Sequence, residues 1–402
     1  MKKRMEANDG EGYKRESEIL YAGGFIPDLG LKPETVPCFL TTAFVMDDLS
    51  EALEVKKKRG YTYIRTANPN RTALAQAVSY LEGGESSLIF SSGMGAITTA
   101  LITLLAPGDH VICNEDIYGE TFEVMTKVMS KMSVDVEFMD LANPAAVKKA
   151  IRPATKMIYT EVISNPTLTL ADLRSLAAII HETKGVLMVD NTFTTPLAIR
   201  PLDFGADLVM NSLTKFLNGH SDAMGGSITA RAEIIDKIQP FSMLCGTPGD
   251  PFSSWLIYRG LHTVELRVPK QMTTAAKLAE ALRADKRVIA VNHPSLPDYP
   301  QRQLAAEMFV DQGRSAMLSF TVAEDIERID RFMANLHFAH YAPTLGGIRT
   351  SLSHPVTSSH YNVPDAIRRQ RGITPGMIRV SVGIENADDL INDFRRALEI
   401  FN

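Results

Sequence analysis

Short apolar runs alternate with longer segments of helical periodicity through the middle of the chain. Strands separated by such helices indicate crossover connections, and continuously apolar strands are typical of strands buried on both faces of a sheet. The pattern therefore predicts an α/β fold with a mostly parallel sheet and helices on both faces. The strand segments are SLIF, HVIC, VDVEFMD, KMIYTEV, VLMVDN, DLVMNS and GGSITA, and helices are predicted at 93–105, 122–132, 145–151 and 171–183.

The residue patterns at the two ends of the chain differ from the pattern in the middle. The N-terminal part carries scattered Gly and Pro with one helix-like stretch at 47–59, which indicates an arm. A helical pattern at 251–284 is long enough to bridge two domains, and strands and helices after it predict a smaller α+β domain. We expect three parts: an arm at 1–62, a large cofactor-binding domain at 63–258 and a C-terminal small domain at 259–402.

Composition narrows the class of protein. The 402 residues are 45% hydrophobic and 22% charged, which is ordinary for a globular chain of about two or three domains. A net charge of −5 without a long basic run argues against nucleic-acid binding. No apolar run is long enough to cross a membrane, and no apolar segment follows the basic N-terminus as in a secretory signal. Three widely spaced cysteines give no metal-ligand or disulfide pattern, so we expect a cytoplasmic protein without a metal.

Chemically informative residues follow the predicted strands. Ligands bind at the carboxyl ends of the strands in an open α/β sheet, so these residues are expected to share one site. A phosphate cradle, an aromatic ring, an amide, a carboxylate and a lysine together suit pyridoxal phosphate, whose aldehyde, pyridinium nitrogen, ring and phosphate need such partners. The residues are the turn Ser91–Gly95, Tyr118, Asn165, Asp190 and the pair Thr214 and Lys215.

One long segment carries a family resemblance. DNTFTTP and DLVMNSLTKFLNGHSDAMGGSI, between Asp190 and Ile228, resemble the signature of the pyridoxal-phosphate enzymes of cysteine and methionine metabolism. That family includes cystathionine synthases and lyases, methionine γ-lyase and the O-acylhomoserine sulfhydrylases. The resemblance extends from about Tyr61 to the C-terminus. It implies the fold type I transferase-like architecture, pyridoxal 5′-phosphate as cofactor, and a homotetramer built as a dimer of dimers with shared active sites.

The resemblance assigns roles in catalysis or in binding the cofactor ring to four residues. Lys215 matches the lysine that forms a Schiff base with the cofactor and then carries protons. Asp190 matches the carboxylate that pairs with the pyridinium nitrogen. Tyr118 matches the tyrosine that stacks on the ring and exchanges a proton with the leaving group, and Asn165 matches the asparagine that hydrogen-bonds the phenolic oxygen.

Other residues match positions that bind the phosphate or the substrate. Arg379, in GMIRVSVGIE, matches the arginine that holds the substrate α-carboxylate with two parallel hydrogen bonds. Thr344 and Leu345 fall where the family has a Ser-Leu pair near the substrate. The resemblance gives the phosphate ligands as Gly93 and Met94 through backbone N–H groups, Ser212 and Thr214 through side chains, and Tyr63 and Arg65 reaching the phosphate of a neighbouring subunit.

Three positions depart from the common family pattern and bear on the substrate. Glu120 stands where relatives usually have Gly or Cys, and it either meets a cationic or polar leaving group or points to solvent. Pro343 stands where the family varies between a glutamate and an apolar residue, which counts against cystathionine. Arg349 replaces a common glutamate at a position where sulfhydrylases often carry a basic residue.

The leading interpretation is a lyase that eliminates the γ-substituent of a methionine-, homocysteine- or homoserine-type amino acid to give a 2-keto acid and ammonia. A γ-replacement enzyme that uses a thiol or sulfide, and a cystathionine β-lyase, remain alternatives because they share most of the chemistry. A catalytically silent relative is disfavoured because Lys215 and Asp190 are both present. A nucleotide-binding dehydrogenase is disfavoured because SGMGAI lacks the third glycine of the expected motif.

Overall fold

A seven-stranded sheet forms the centre of the N-terminal half in the computed structural model of the chain. Its order is β1-β7-β6-β5-β4-β2-β3, and only β7 is antiparallel to its neighbours. The prediction of a mostly parallel sheet is confirmed. The strands are β1 Ser86–Phe90, β2 His110–Asn114, β3 Asp135–Met139, β4 Thr155–Glu161, β5 Val186–Asp190, β6 Leu208–Asn211 and β7 Gly226–Ala230.

The structure describes residues 14–24, 27, 29–310, 315–361 and 363–402. Residues 1–13, 25, 26 and 28 of the predicted arm lie outside the described residues. Within the described ranges, no helix is both long enough and apolar enough to cross a bilayer.

Three helices precede the sheet: α1 Arg15–Glu18, α2 Leu49–Lys57 and α3 Pro69–Glu82. The side chain of Asn68 accepts a hydrogen bond from the backbone N–H of Asn70 and caps α3, and proline at its first position needs no donor there. Gly83 ends the helix with a φ of 72°, in the left-handed region that glycine tolerates best. The apolar side of α3 packs under the sheet and places the end of this helix close to the ends of β5 and β6.

Helices on both faces connect the strands of the large sheet. The predicted helix at 122–132 is replaced by a short α-helix, a π-helical segment at Val124–Met129 and a 3₁₀ turn at Ser130–Met132. Apolar spacing alone does not distinguish an α turn from the wider π turn, so the pattern could not predict this change. The helices are α4 Gly93–Leu104, α5 Gly119–Glu123, α6 Pro144–Ala150, α7 Leu173–His181 and α8 Thr195–Ala198.

Three helices lead from the large sheet to the C-terminal half: α9 Ala232–Cys245, α10 Pro251–Leu261 and α11 Val264–Arg283. The helical pattern predicted at 251–284 is therefore two helices that are separated at residues 262–263. The predicted domain boundary after residue 258 falls inside α10, and the division into an arm and two domains stays a prediction.

A second sheet of five strands lies in the C-terminal half, with the order β10-β11-β12-β9-β8. Its pairs are antiparallel except for β10 with β11. Its strands are β8 Ala290–Asn292, β9 Met317–Thr321, β10 His340–Tyr341, β11 Ser351–Ser353 and β12 Met377–Ser381, and its helices are α12 Arg302–Met308, α13 Ile326–Ala334, α14 Asp365–Gln370 and α15 Ala387–Ala397.

The two halves meet tightly beside the segment that follows β6. Gly346 has a φ of 80°, and a Cβ atom there would lie 2.4 Å from the backbone nitrogen of Phe216. In α11, Arg267 donates to the carbonyl oxygens of Phe216 and Leu217, at 3.0 and 3.2 Å. These contacts fix the backbone around Lys215 from both halves of the chain.

Candidate active site

A cavity of about 650 Å³ lies at the carboxyl ends of β4, β5 and β6, and segments of the C-terminal half form its opposite wall. It brings together most of the residues that the sequence nominated from widely separated positions. Those that line it are Gly93, Met94, Tyr118, Glu120, Asn165, Asp190, Ser212, Thr214, Lys215, Pro343, Leu345 and Arg379.

Lys215 follows the end of β6 and points its amine into this cavity. Its Nζ donates to Oγ1 of Thr344 at 3.3 Å, so Thr344 contacts the amine although it does not itself line the cavity. Burial, and then the positive charge of Arg379, lower the pKa of Lys215, whereas Glu120 acts in the opposite direction. A lowered pKa increases the fraction of neutral amine, which is the form that attacks a carbonyl or accepts a proton.

Asp190 is the last residue of β5 and is buried. Its Oδ1 accepts a hydrogen bond from the backbone N–H of Thr192 at 2.9 Å. Burial raises the pKa of Asp190 to about 6, and the hydrogen bonds from Thr192 offset only part of that rise. A positively charged ring nitrogen beside this carboxylate would favour its ionised form, so the position fits the pyridinium nitrogen of pyridoxal phosphate.

The beginning of α4 forms one corner of the cavity. The Ser92 hydroxyl accepts from the backbone N–H of Gly95 at 2.9 Å and caps the helix. The N–H groups of the first turn have no partner within the helix, and such groups bind phosphate. A Cβ atom on Gly93 would lie 2.9 Å from Cε of Met210 and 3.1 Å from Cβ of Ser212, so glycine lets the start of α4 lie close to the end of β6 without displacing these side chains. This corner fits the phosphate group of the cofactor.

Two hydroxyl groups that follow β6 complete this corner. The backbone N–H of Ser212 donates to Oγ1 of Thr192 at 2.8 Å, which fixes the start of the segment. The Thr214 hydroxyl donates to the carbonyl oxygen of Gly225 at 3.2 Å and accepts from its N–H at 3.1 Å. Both residues line the cavity, and their role as phosphate ligands stays a prediction.

Arg379 lies on β12 and reaches across from the C-terminal half. Its Nη1 donates to Oδ1 of Asn165 at 3.1 Å, and its Nη2 donates to the carbonyl oxygen of Thr344 at 3.2 Å. Its Nε has no partner among the described residues. Burial lowers the pKa of Arg379 to about 10, so the guanidinium remains charged at neutral pH. A buried guanidinium with a free donor fits the carboxylate of an amino-acid substrate.

Tyr118 precedes α5 and places its ring at the edge of the same cavity. Burial and then the Glu120 carboxylate raise the pKa of the Tyr118 hydroxyl above its ordinary value. The phenol therefore keeps its proton at neutral pH and can donate it to a departing group.

Glu161, the last residue of β4, was not predicted from the sequence. It is buried, and its Oε1 accepts from the backbone N–H of Tyr118 at 2.8 Å. Burial, and then the charge of Asp190, raise the pKa of Glu161 well above its usual range. It pairs in register with Asp190, so a search at the ends of strands as well as after them would have found it.

Tyr63, Arg65 and Arg349 do not line this cavity within the described structure. The guanidinium carbon of Arg65 lies 5.7 Å from the centre of the Tyr63 ring, and its Nη1 donates to the carbonyl oxygen of Met243 at 3.0 Å. Tyr63 is 45% exposed, and Arg349 is exposed as well. Tyr63 and Arg65 are therefore both exposed on the surface of the chain.

Comparison with known proteins gives extensive matches. The sequence model of one family, described as Cys/Met metabolism PLP-dependent enzyme, matches residues 24–399. The cystathionine γ-lyase of Bacillus subtilis is 38% identical, over 96% of this chain and 99% of that protein. The cystathionine β-lyase MetC of the same species is 40% identical, over 84% and 86% of the two chains. The L-methionine γ-lyase of Porphyromonas gingivalis is 36% identical, over 90% and 92%.

A solved structure has the same architecture. The cystathionine γ-synthase of Xanthomonas oryzae pv. oryzae, in complex with cystathionine, superposes with a TM-score of 0.91 and 33% sequence identity. The superposition covers 97% of this chain and 99% of that chain. Both halves of the present structure therefore have counterparts in one solved protein.

Proposed function

This chain belongs to the family of Cys/Met metabolism PLP-dependent enzymes, and from that premise we propose which reaction it catalyses and which residues carry it. The reaction is elimination of the γ-substituent from a methionine-, homocysteine- or homoserine-type amino acid, which releases a 2-keto acid and ammonia. The observation that carries the proposal is the position of the Lys215 amine, which lies in one cavity with Asp190, Tyr118 and Arg379.

Lys215, Asp190 and the start of α4 would hold the cofactor. Pyridoxal phosphate, when bound, supplies an aldehyde that condenses with amino groups and a protonated ring that stores the negative charge left by proton removal. Asp190 would keep the ring nitrogen protonated, and the backbone N–H groups of Gly93 and Met94 would hold the phosphate with the hydroxyls of Ser212 and Thr214.

The Lys215 amine moves protons in this proposal. Its lowered pKa supports a role as a base that takes the proton from Cα of the substrate and then one from Cβ. The Thr344 hydroxyl, 3.3 Å from Nζ, orients the amine when the cofactor is released from it. Removal of both protons prepares the bond between Cγ and its substituent for cleavage.

Tyr118 protonates the departing group. The raised pKa of its hydroxyl keeps the proton available at neutral pH, and the hydrogen bond from its backbone N–H to Glu161 fixes the start of α5. A thiolate or alkoxide that receives this proton leaves as a neutral thiol or alcohol.

Arg379 orients the substrate. Two of its nitrogens are held by Asn165 and Thr344, and the remaining Nε supports binding of the α-carboxylate at the wall opposite the sheet. Holding the carboxylate there directs the Cα proton toward Lys215. Asn165 accepts from Arg379 and is also the proposed partner of the cofactor's phenolic oxygen, so it connects the substrate position with the cofactor position.

A second candidate is γ-replacement, in which a thiol or sulfide bonds to Cγ after the substituent has left. The superposition with a cystathionine γ-synthase supports γ-replacement as a candidate. Arg349 is exposed and does not line the cavity within the described residues, which gives no direct support for a role in choosing sulfide. β-Elimination from cystathionine is less well supported because Pro343 lines the cavity and has no carboxylate for a second amino group.

The oligomer is part of the proposal. Tyr63 and Arg65 lie outside the cavity of their own chain, and Tyr63 is exposed. We assign them to the phosphate of a neighbouring subunit, in a homotetramer of two dimers with shared active sites, in a cytoplasmic enzyme.

A product assay on the purified, cofactor-loaded protein tests the function. Methionine, homocysteine, cystathionine and O-acetylhomoserine are each offered with and without sulfide, and 2-keto acid, ammonia and thiol products are measured. We expect 2-oxobutanoate and ammonia without sulfide. Formation of homocysteine only when sulfide is present would instead establish γ-replacement, and pyruvate from cystathionine alone would establish β-elimination.

A further inference from the structure

Glu120 lies at the part of the cavity where the departing group of a substrate would be placed. It lines the cavity together with Tyr118, the proposed proton donor to that group. Its charge also influences the pKa values of Tyr118 and Lys215, which places the carboxylate close to both. Glu120 is exposed, so its carboxylate is open both to solvent and to a ligand that enters the cavity.

The other charged groups on this side of the cavity have partners. Glu115 lies 3.9 Å from the guanidinium of Arg371, and Glu123 forms an ion pair with Lys127. No Lys or Arg of the described chain lies within ion-pair distance of Glu120. Under the proposed function, the nearest cations have other tasks, because Lys215 binds the cofactor and Arg379 binds the α-carboxylate. Glu120 is thus the carboxylate at this position that a ligand could neutralise.

Part of the cavity that Glu120 lines is apolar. Ile117, Phe122, Val363 and Ile367 contribute apolar surface to the same cavity. Glu120 itself is exposed, so a charge pair that it forms with a ligand is only modestly stronger than one on an open surface. Pro343 adds no carboxylate that could compete for a cation.

We propose that the preferred substrates carry a positive charge on the departing γ-substituent and that the carboxylate of Glu120 contacts this charge. The inference rests on the proposed γ-elimination and names its substrate class. For a sulfonium substrate, the Cγ–S bond breaks with its electron pair on sulfur and a neutral sulfide leaves. The four-carbon remainder takes up one water, and the products are 2-oxobutanoate, ammonium, the sulfide and one proton.

S-methylmethionine and ethionine are a matched pair of probes. They have the same number of non-hydrogen atoms and differ mainly in the charge at sulfur. The holoenzyme, a Glu120→Gln variant and a Glu123→Gln control are assayed for keto acid and ammonia with both. The control removes a carboxylate from the same cavity wall whose charge Lys127 already balances.

We expect Glu120→Gln to lower kcat/KM for S-methylmethionine by about fivefold and to leave ethionine nearly unchanged, as for loss of one partly exposed charge pair. Glu123→Gln should leave the ratio of the two substrates as in the wild type. In the wild type, added salt should reduce kcat/KM for S-methylmethionine more than for ethionine, which tests the charge contact without any variant.

An equal loss for both probes in Glu120→Gln, or equal salt dependence in the wild type, would overturn the Glu120 assignment and leave γ-elimination standing. Failure of the loaded wild type to release keto acid and ammonia from either probe, and from methionine, would contradict the proposed function and this inference with it. The two failures are therefore distinguishable.

Discussion

At the scale of single residues, the two carboxyl groups at the ends of β4 and β5 have different chemistry. Glu161 and Asp190 are paired in register on neighbouring strands, and both are buried. Two adjacent buried carboxylates are costly to ionise together, so one retains its proton. The pKa of Glu161 is raised well above its usual range, first by burial and then by Asp190. Glu161 is therefore the protonated member, and Asp190 is the member that can pair with a cation.

This difference predicts the effect of two substitutions of Glu161, which we regard as a positioning residue. Glu161→Gln keeps an uncharged acceptor for the N–H of Tyr118 and should retain kcat within about threefold. Glu161→Ala removes that acceptor, lets the start of α5 move, and should lower kcat by about tenfold to hundredfold. Steady-state kinetics on both variants measures this. A loss in Glu161→Gln as large as in Glu161→Ala would show that the residue acts as a charged carboxylate.

Glu82 is a second buried carboxyl group, outside the cavity. It ends α3 and accepts from Nδ2 of Asn191 at 3.0 Å and from Nδ2 of Asn211 at 2.6 Å. Asn191 follows Asp190 and Asn211 precedes Ser212. The Glu82 carboxyl group therefore links α3 by hydrogen bonds to the ends of β5 and β6, next to the site. Burial raises the pKa of Glu82 from 4.5 to about 7, although both asparagine hydrogen bonds oppose the rise.

This raised pKa predicts a pH dependence of stability. Between the unfolded and folded pKa values, the folded state binds more protons than the unfolded state, so stability falls as pH rises from about 4.5 to 7. Glu82→Gln cannot ionise and keeps an oxygen acceptor. We compare the free energy of unfolding of Glu82→Gln with that of the wild type at each pH. The variant-minus-wild-type difference should increase between pH 5 and pH 8, by at most roughly 3 kcal/mol. Urea unfolding at both pH values measures it, and a pH-independent difference would contradict the assignment.

At the scale of elements, the site depends on how closely β7 passes the beginning of α4. A Cβ atom on Gly226 would lie 2.2 Å from the carbonyl oxygen of Ser92 and 2.8 Å from Cα of Gly93. These are backbone atoms, which cannot rotate away as a side chain can. The proposed phosphate corner therefore exists because an antiparallel strand with glycine at its first position lies against the helix.

Gly226→Ala should accordingly destabilise the protein by about 3 kcal/mol, since the start of α4 must shift. It should also weaken retention of pyridoxal phosphate, because the N–H groups of that turn would move. Gly95→Ala is the matched control on the same helix, where the nearest atom to a Cβ atom would be the Ser92 hydroxyl oxygen at 3.3 Å. Equal stability and cofactor retention in the two variants would show that the contact with β7 is unimportant.

Sequence patterns predicted the strands whose ends form the site better than the helices and strand directions around them. Apolar runs predicted all seven strands of the large sheet, but not the antiparallel direction of β7. The connection at 212–225 contains no crossover helix, which a parallel strand requires, so the signal for that direction was present. The helix α9 was missed because Pro240 interrupts its pattern and normally ends a helix.

At the scale of the whole molecule, the candidate site combines both halves of the chain. The residues that follow the parallel strands could be predicted from sequence, because a local apolar run shows where each strand ends. The contact of Arg379 with Asn165, and the hydrogen bond of Thr344 with Lys215, depend on long-range packing that no local pattern contains. Only the family resemblance nominated Arg379 and Thr344, and Glu161 was not nominated at all.

The proposed sharing of sites between subunits predicts complementation. Lys215→Ala and Arg65→Ala subunits, each poorly active alone, should form mixed dimers in which one site has both native residues. Mixing equal amounts after reversible dissociation should restore about a quarter of wild-type activity, because half of the dimers are mixed and each has one complete site. Activity of the mixture is compared with the sum of the separate variants. No gain above that sum in verified mixed oligomers would contradict a shared site.

The central claim is that Lys215 holds pyridoxal phosphate in this cavity, since the assigned roles of Asp190, Tyr118, Arg379 and Glu120 depend on it. Borohydride reduction of the holoenzyme followed by peptide mass spectrometry tests it most directly, because reduction makes the lysine–cofactor bond permanent. We predict one modified peptide, with the pyridoxyl group on Lys215, and no modification in Lys215→Ala. A pyridoxyl group on another lysine of the wild type would contradict the site described above.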